Sequence, residues 1–266
     1  MQIESFRFHW VCDGLLGNWM RTKKTSNVII AETEEKMAAE GALLFSVTAL
    51  SAIEKRGRFT VALSGGSTPG KMHALLGREP YRSRIPWNRI YLFWGDERCV
   101  PAGNQWSNYG RAREDFLDYI AIPIENIHPM PGEVPPEEGA LRYGKEIPEV
   151  FDLILLGMGT DGHTASLFPG HSALEERRKT VVPVEGGNPD IPRLTITFPV
   201  IERARNVVFL VSGREKAEPV KSVLKDHDLR LPAARAVPSE GRLIWIMDRE
   251  AASLLPEEVI NDQEHH

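Results

Sequence analysis

Cysteine is scarce: the 266 residues hold two, Cys12 and Cys99, far apart and in no Cys-x-x-Cys pattern. That excludes a disulfide framework and gives no support to a zinc site, and it predicts reduced thiols in a reducing compartment. An excess of positive charge is missing too. Thirty-two Lys and Arg face 37 Asp and Glu, a net charge of −5, so no global field would hold DNA or an anionic bilayer. No stretch approaches the ~18 consecutive apolar residues of a membrane span, and Glu4, Arg7 and Asp13 interrupt the place where a signal peptide needs an apolar core. The expected setting is the cytoplasm, with neither a nucleic-acid nor a membrane partner. The eight histidines are scattered, and His163 and His171 have no third ligand nearby, so no metal or other cofactor is expected.

What is present is an ordinary globular balance, 42% apolar and 26% charged residues, at a length that suits one large α/β domain. That domain is expected to span 27–258. Residues 1–26, rich in aromatic and basic side chains, form an extension of unassigned role. Residues 259–266 form a tail whose His265 and His266 resemble a truncated purification tag. A monomer or weak homo-oligomer is expected.

Asn27–Ala31 is a short β-branched run, after which Thr33 offers an N-cap and Glu34 and Glu35 suit the positive end of a helix to about Lys55. Phe59–Leu63 reads as a buried strand, 64–67 as a loop, and Thr68-Pro69 as N-cap plus first helical residue. Further apolar runs stand at 90–94, 151–156, 194–198, 207–211 and 243–247, mostly separated by helical stretches. Asp248 is placed to cap a short helix through Leu255, and 131–138 is too rich in proline and acid for either element. Strand alternating with helix predicts a largely parallel sheet with helices on both faces, an open doubly wound, Rossmann-like architecture. Such sheets bind ligands beyond the carboxyl ends of their strands. The loops expected to hold the site are therefore 64–68, 95–101, 157–170 and 212–214.

Ser64-Gly65-Gly66-Ser67-Thr68 offers unobstructed backbone amides, hydroxyls and a helix N-terminus, which together suit a phosphate; a plain tight turn is the alternative. Gly65 to Lys71 nearly spells a P-loop, but Met72 stands where a magnesium-binding hydroxyl belongs. Gly157-Met158-Gly159-Thr160-Asp161-Gly162 matches the dinucleotide pattern Gly-x-Gly-x-x-Gly, yet Pro169-Gly170 leaves no room for the long helix that motif needs. The glycines instead expose Asp161 and His163 in a cleft. An unperturbed imidazole titrates near ~6.5, so it can take a proton from water at neutral pH. Arg98 can fork onto a phosphate or carboxylate; Asp96 and Glu97 are either site residues or structural ion-pair partners of an arginine.

Taken in order, several segments resemble the 6-phosphogluconolactonases of the glucosamine-6-phosphate isomerase-like superfamily. They are Ala62-Leu63-Ser64-Gly65-Gly66-Ser67-Thr68-Pro69, Trp94-Gly95-Asp96-Glu97-Arg98, Ser107-Asn108-Tyr109, Gly157-Met158-Gly159-Thr160-Asp161-Gly162-His163-Thr164-Ala165-Ser166-Leu167-Phe168-Pro169-Gly170, Lys216-Ala217 and Leu231-Pro232-Ala233. The deaminase branch of that superfamily carries Asp-Glu-Tyr where this chain has Asp96-Glu97-Arg98. The resemblance implies hydrolysis of 6-phospho-D-glucono-1,5-lactone to 6-phosphogluconate in the pentose phosphate pathway, with no cofactor and a phosphorylated sugar lactone as the small-molecule partner. His163 is then the general base and Asp161 its acidic neighbour. Substrate binding falls to Ser64, Gly65, Gly66, Ser67, Thr68, Asp96, Arg98, Gly159 and Arg193. One departure stands out: where many members carry a lysine before the strand Arg-Ile-Thr, this chain has Asp190 ahead of Arg193-Leu194-Thr195. Arg193 or Lys179 is expected to supply that cation. A glucosamine-6-phosphate deaminase or isomerase, and a non-catalytic sugar-phosphate sensor, are the alternative functions.

Overall fold

A computed structural model describes residues 27–256; the extension at 1–26 and the tail at 259–266 lie outside the described residues. Six strands, β1 (Asn27–Ala31), β2 (Phe59–Leu63), β3 (Ile90–Trp94), β5 (Leu153–Leu156), β8 (Asn206–Val211) and β9 (Arg242–Asp248), form one sheet in the order β1-β9-β8-β5-β2-β3. Every neighbouring pair is parallel. The central strands are near-continuous apolar runs because both faces are covered: β2 and β5 are buried at every position.

Helices flank this sheet. They are α1 (Glu34–Arg56), α2 (Ser67–Leu76), α3 (Tyr81–Arg84), α4 (Asn108–Asp115), α5 (Pro136–Gly144), α6 (Phe198–Glu202), α7 (Ala217–Leu224) and α8 (Pro232–Arg235). The Thr33 side chain caps α1 by accepting from the Lys36 amide at 3.3 Å, as its sequence position predicts. Among the described residues α1 is the one helix long and apolar enough to cross a membrane by length and composition, but Glu40 and Glu54 interrupt it and half of its apolar window is buried in this fold. Met37, Ala42, Phe45 and Ala49 form its buried stripe, with Phe45 edge-on to Phe59 of β2.

The strand order sets the site. From β2 the chain moves outward to β3, whereas β5 leads the other way to β8 and β9. The loops after β2 and β5 therefore part from adjacent strands, which opens a crevice at their carboxyl ends. The phosphate-type loop follows β2 and the Gly-x-Gly segment follows β5, so both expected loops open into that crevice.

Four local expectations are corrected. The run at 194–198 is not part of the parallel sheet: β7 (Arg193–Ile196) lies in a small antiparallel sheet between β4 (Asp96–Arg98) and β6 (Val181–Val184). An apolar run does not encode the direction of its partner, and three charged residues at 96–98 carry no strand period. Proline and acid at 131–138 do not prevent α5, which starts at Pro136 with Glu137 and Glu138 in its first turn, where both residue types are favourable. Asp248 does accept from the Ala251 amide at 2.8 Å, but it also holds the Gly213 amide, and only turns follow to Leu255. Helix α2 begins at Ser67, one residue before the expected cap Thr68.

Candidate active site

A cavity of about 700 Å³ opens at the carboxyl ends of the parallel strands. The structure brings Ser64, Gly65, Gly66, Ser67, Thr68, Asp96, Arg98, Gly159, His163 and Arg193 to its wall, and Asp161 stands directly behind His163. Lys179 is exposed and does not line it, nor does Asp190.

On the β5 side, His163 Nδ1 lies 2.5 Å from Asp161 Oδ1, which also accepts from the His163 amide at 3.1 Å. Partial burial pushes the Asp161 carboxyl up, but hydrogen bonds from the His163 amide and ring pull it further down, so it sits below its ordinary value. An ionised carboxylate can only accept, which places the imidazole proton on Nδ1. Nε2 then carries the free lone pair, and it has no hydrogen-bond partner among the described residues. Gly159 makes this arrangement possible. A Cβ there would stand 2.1 Å from His163 Nδ1 and 2.6 Å from Asp161 Oδ1.

Opposite stand two arginines. Arg98 of β4 and Arg193 of β7 are direct partners across the antiparallel ladder, and both line the cavity. Like charges directly opposite repel, and neither forms an ion pair with a carboxylate among the described residues. Arg193 is only 4% exposed; its guanidinium lies 5.5 Å over Phe168, and Nε is buried without a partner, as is Nε of Arg98. Burial lowers the Arg193 pKa from its ordinary value against the opposing pull of the nearby Asp96 carboxylate, and Arg98 adds to the lowering.

The acids of 95–101 serve the scaffold. Glu97 accepts from the amides of Arg98, Asn108 and Tyr109 and from the Ser107 hydroxyl, tying β4 to the start of α4. Burial pushes its carboxyl up against the pull of those amides. Asp96 lines the cavity, yet its carboxylate takes the Ser166 hydroxyl at 2.6 Å and the Asn108 amide at 3.3 Å. Neither acid pairs with an arginine as an ion pair.

Sequence reasoning missed several wall residues. Thr68 Oγ1 lies 2.8 Å from Ser212 Oγ, which bonds Glu34 Oε1 at 2.9 Å. The carboxylate can only accept, so the Ser212 proton points to Glu34 and the Thr68 proton to Ser212. In this arrangement Thr68 presents lone pairs to the cavity, and the Ser64 hydroxyl donates to the Gly65 carbonyl at 3.3 Å, so the free donors of this loop are its amides and the Ser67 hydroxyl. Glu34 carries only a helix-dipole signal in the sequence, and Asn108 stands in the resembling segment Ser107-Asn108-Tyr109 with no role attached to it.

The model of the family described as glucosamine-6-phosphate isomerases/6-phosphogluconolactonase matches residues 32–245. A 6-phosphogluconolactonase of Synechocystis sp. is 42% identical over 237 residues, covering 83% of this chain and 95% of the relative. The chain belongs to this family. The rat 6-phosphogluconolactonase, 36% identical over 244 residues, covers 86% of the chain and 93% of its own length. Among family members with solved structures, the 6-phosphogluconolactonase of Trypanosoma brucei superposes with a TM-score of 0.78 at 32% identity, over 87% of this chain and 99% of that one. A monomeric glucosamine-6-phosphate deaminase superposes with a TM-score of 0.73 at 22% identity, a likeness of fold alone.

Proposed function

We propose that the protein hydrolyses 6-phospho-D-glucono-1,5-lactone to 6-phosphogluconate, with His163 as general base. The observation that carries this reading is the pairing of Arg98 and Arg193 across one ladder, without carboxylate partners, in the same cavity as an imidazole whose Nε2 is free. Two facing cations are stabilised when an anion lies between them, and the adjacent 64–68 loop adds amide donors at the start of α2.

With the phosphate anchored there, the lactone ring reaches toward His163. Nε2 removes a proton from water as the water oxygen bonds to the C1 carbonyl carbon. The tetrahedral adduct collapses by breaking the bond from C1 to the ring oxygen, and the imidazolium returns its proton to that oxygen. Asp161 fixes the ring tautomer and balances the transient positive charge. Arg193 takes the place of the lysine that many relatives carry.

The test is NMR-monitored hydrolysis of the lactone at mildly acidic pH, where the spontaneous reaction is slow, with His163→Ala beside the wild type. A strong wild-type acceleration that falls by about 10² to 10⁴ in kcat in the variant is expected. No wild-type acceleration, together with ammonia release from glucosamine 6-phosphate, would replace this reading with the deaminase. Tight 6-phosphogluconate binding without turnover of either substrate would indicate a sensor.

A further inference from the structure

Asn108, the first residue of α4, is 4% exposed at the cavity wall. Its side-chain amide meets three parts of the site. Nδ2 donates to the Asp96 carbonyl at 2.9 Å and to the Asp96 carboxylate at 3.3 Å. Oδ1 accepts from Arg98 Nη1. The same amide lies against the glycine loop so closely that a Cβ on Gly65 would stand 1.9 Å from Oδ1 and 2.2 Å from Cγ. Its own backbone is held, because the Asn108 amide donates to Glu97 Oε1 at 2.7 Å and Ser107 caps the helix on the Gly110 amide.

We propose that Asn108 is a positioning residue that fixes the Arg98 guanidinium beside the 64–68 loop, so that arginine and loop amides converge on one anion, the substrate phosphate. This rests on the lactonase reading above. The chemistry requires an amide at this position. Its carbonyl faces the cation while its NH2 faces Asp96, and no other side chain of that size carries an acceptor and a donor on two separate, diverging atoms. An aspartate would set a second carboxylate against Asp96, and an alanine would leave Nη1 with the Trp106 carbonyl, 3.3 Å away, as its one remaining bond. Gly65 is the counterpart of the same contact: it has no side chain because the Asn108 amide occupies the space.

A double-mutant cycle tests the assignment. Asn108→Ala is expected to raise KM for the lactone about tenfold with kcat changed less than about threefold, the loss of one bond to a charged group in the bound ground state. Arg98→Ala is expected to raise KM further, and the double variant to match Arg98→Ala alone, because Asn108 acts through that arginine. Gly65→Ala, which pushes on the amide from the loop side, is expected to reproduce the KM rise. Multiplying effects in the double variant, or a fall in kcat at unchanged KM, would overturn the proposal. If Asn108→Ala fails to fold, Asn108→Ser keeps a polar side chain and the backbone bond but is too short to reach the Arg98 guanidinium, and it is expected to give the same KM rise with the same non-additivity. A wild type that leaves the lactone untouched sinks the functional reading only. The cycle read by calorimetry with inorganic phosphate then decides the positioning role by the same non-additivity.

Discussion

At the scale of single residues the site is a set of hydrogen-bond directions. Asp161 is useful to His163 because it stays ionised, which sends the ring proton to Nδ1 and leaves Nε2 as acceptor. Asp161→Asn is therefore expected to lower kcat by about 10²-fold or more, with KM little changed, since the amide permits the wrong tautomer; steady-state kinetics check this. A second histidine carries a stability signal away from the chemistry. His73 on α2 is buried against Phe116 with Nε2 unpartnered, and burial pushes its imidazole down to about 4. The unfolded chain, with an ordinary value near ~6.5, then takes the proton first. Stability from this group is complete above that pH and is lost as pH falls toward 4, by about 2 kcal/mol at pH ~5. Urea unfolding at neutral pH and at about pH 5 should show a smaller drop for His73→Leu than for the wild type, and equal drops would refute the assignment. The chemical identity of His163, Asp161 and the loop donors is legible from the sequence, because each stands in a short glycine-rich segment after a strand. The direction of the Thr68 proton is not, since it depends on Ser212 and Glu34, which are remote in sequence.

At the scale of elements, the strands that frame the crevice are joined by a buried carboxylate. Asp152, just before β5, accepts from the Thr60 amide of β2 at 2.9 Å and from Arg56 Nε at the end of α1 at 2.9 Å, with Arg56 Nη2 at 2.7 Å. Three elements of the core, α1, β2 and β5, therefore share one acceptor. Asp152→Ala would leave a buried amide unpaired and Arg56 without its partner. A loss of about 3 kcal/mol in chemical denaturation is expected, with kcat preserved in the folded fraction, because the residue lies at the opposite end of the strands from the cavity. Parallel strands and α1 are readable from runs and caps, since burial on both faces and the Thr33 cap are local signals. The antiparallel trio β4, β7 and β6 is not. Its pairing joins residue 97 to 194, and nothing within either segment states that partnership.

At the scale of the whole molecule, two sheets of different kind meet at one cavity: the parallel sheet presents His163 and the amide loop, and the small antiparallel sheet presents Arg98 and Arg193. A ligand that bridges them should stiffen the fold as a unit. At about a hundredfold its Kd, 6-phosphogluconate is expected to raise Tm by about 5 °C or more, whereas gluconate without the phosphate should not. A thermal melt with both compounds measures this, and equal shifts would remove phosphate from the binding account. The apolar runs, the loops that follow them and the candidate site groups on those loops can be read from short segments of the chain, because periodicity, capping and glycine act over a few residues. The tertiary structure alone decided that Arg98 faces Arg193, that Asn108 closes on Gly65 and that Asp96 and Glu97 hold the scaffold rather than an arginine. Those contacts join segments far apart in the chain, and their geometry follows from strand order and ladder register, which long-range packing selects and local sequence does not encode.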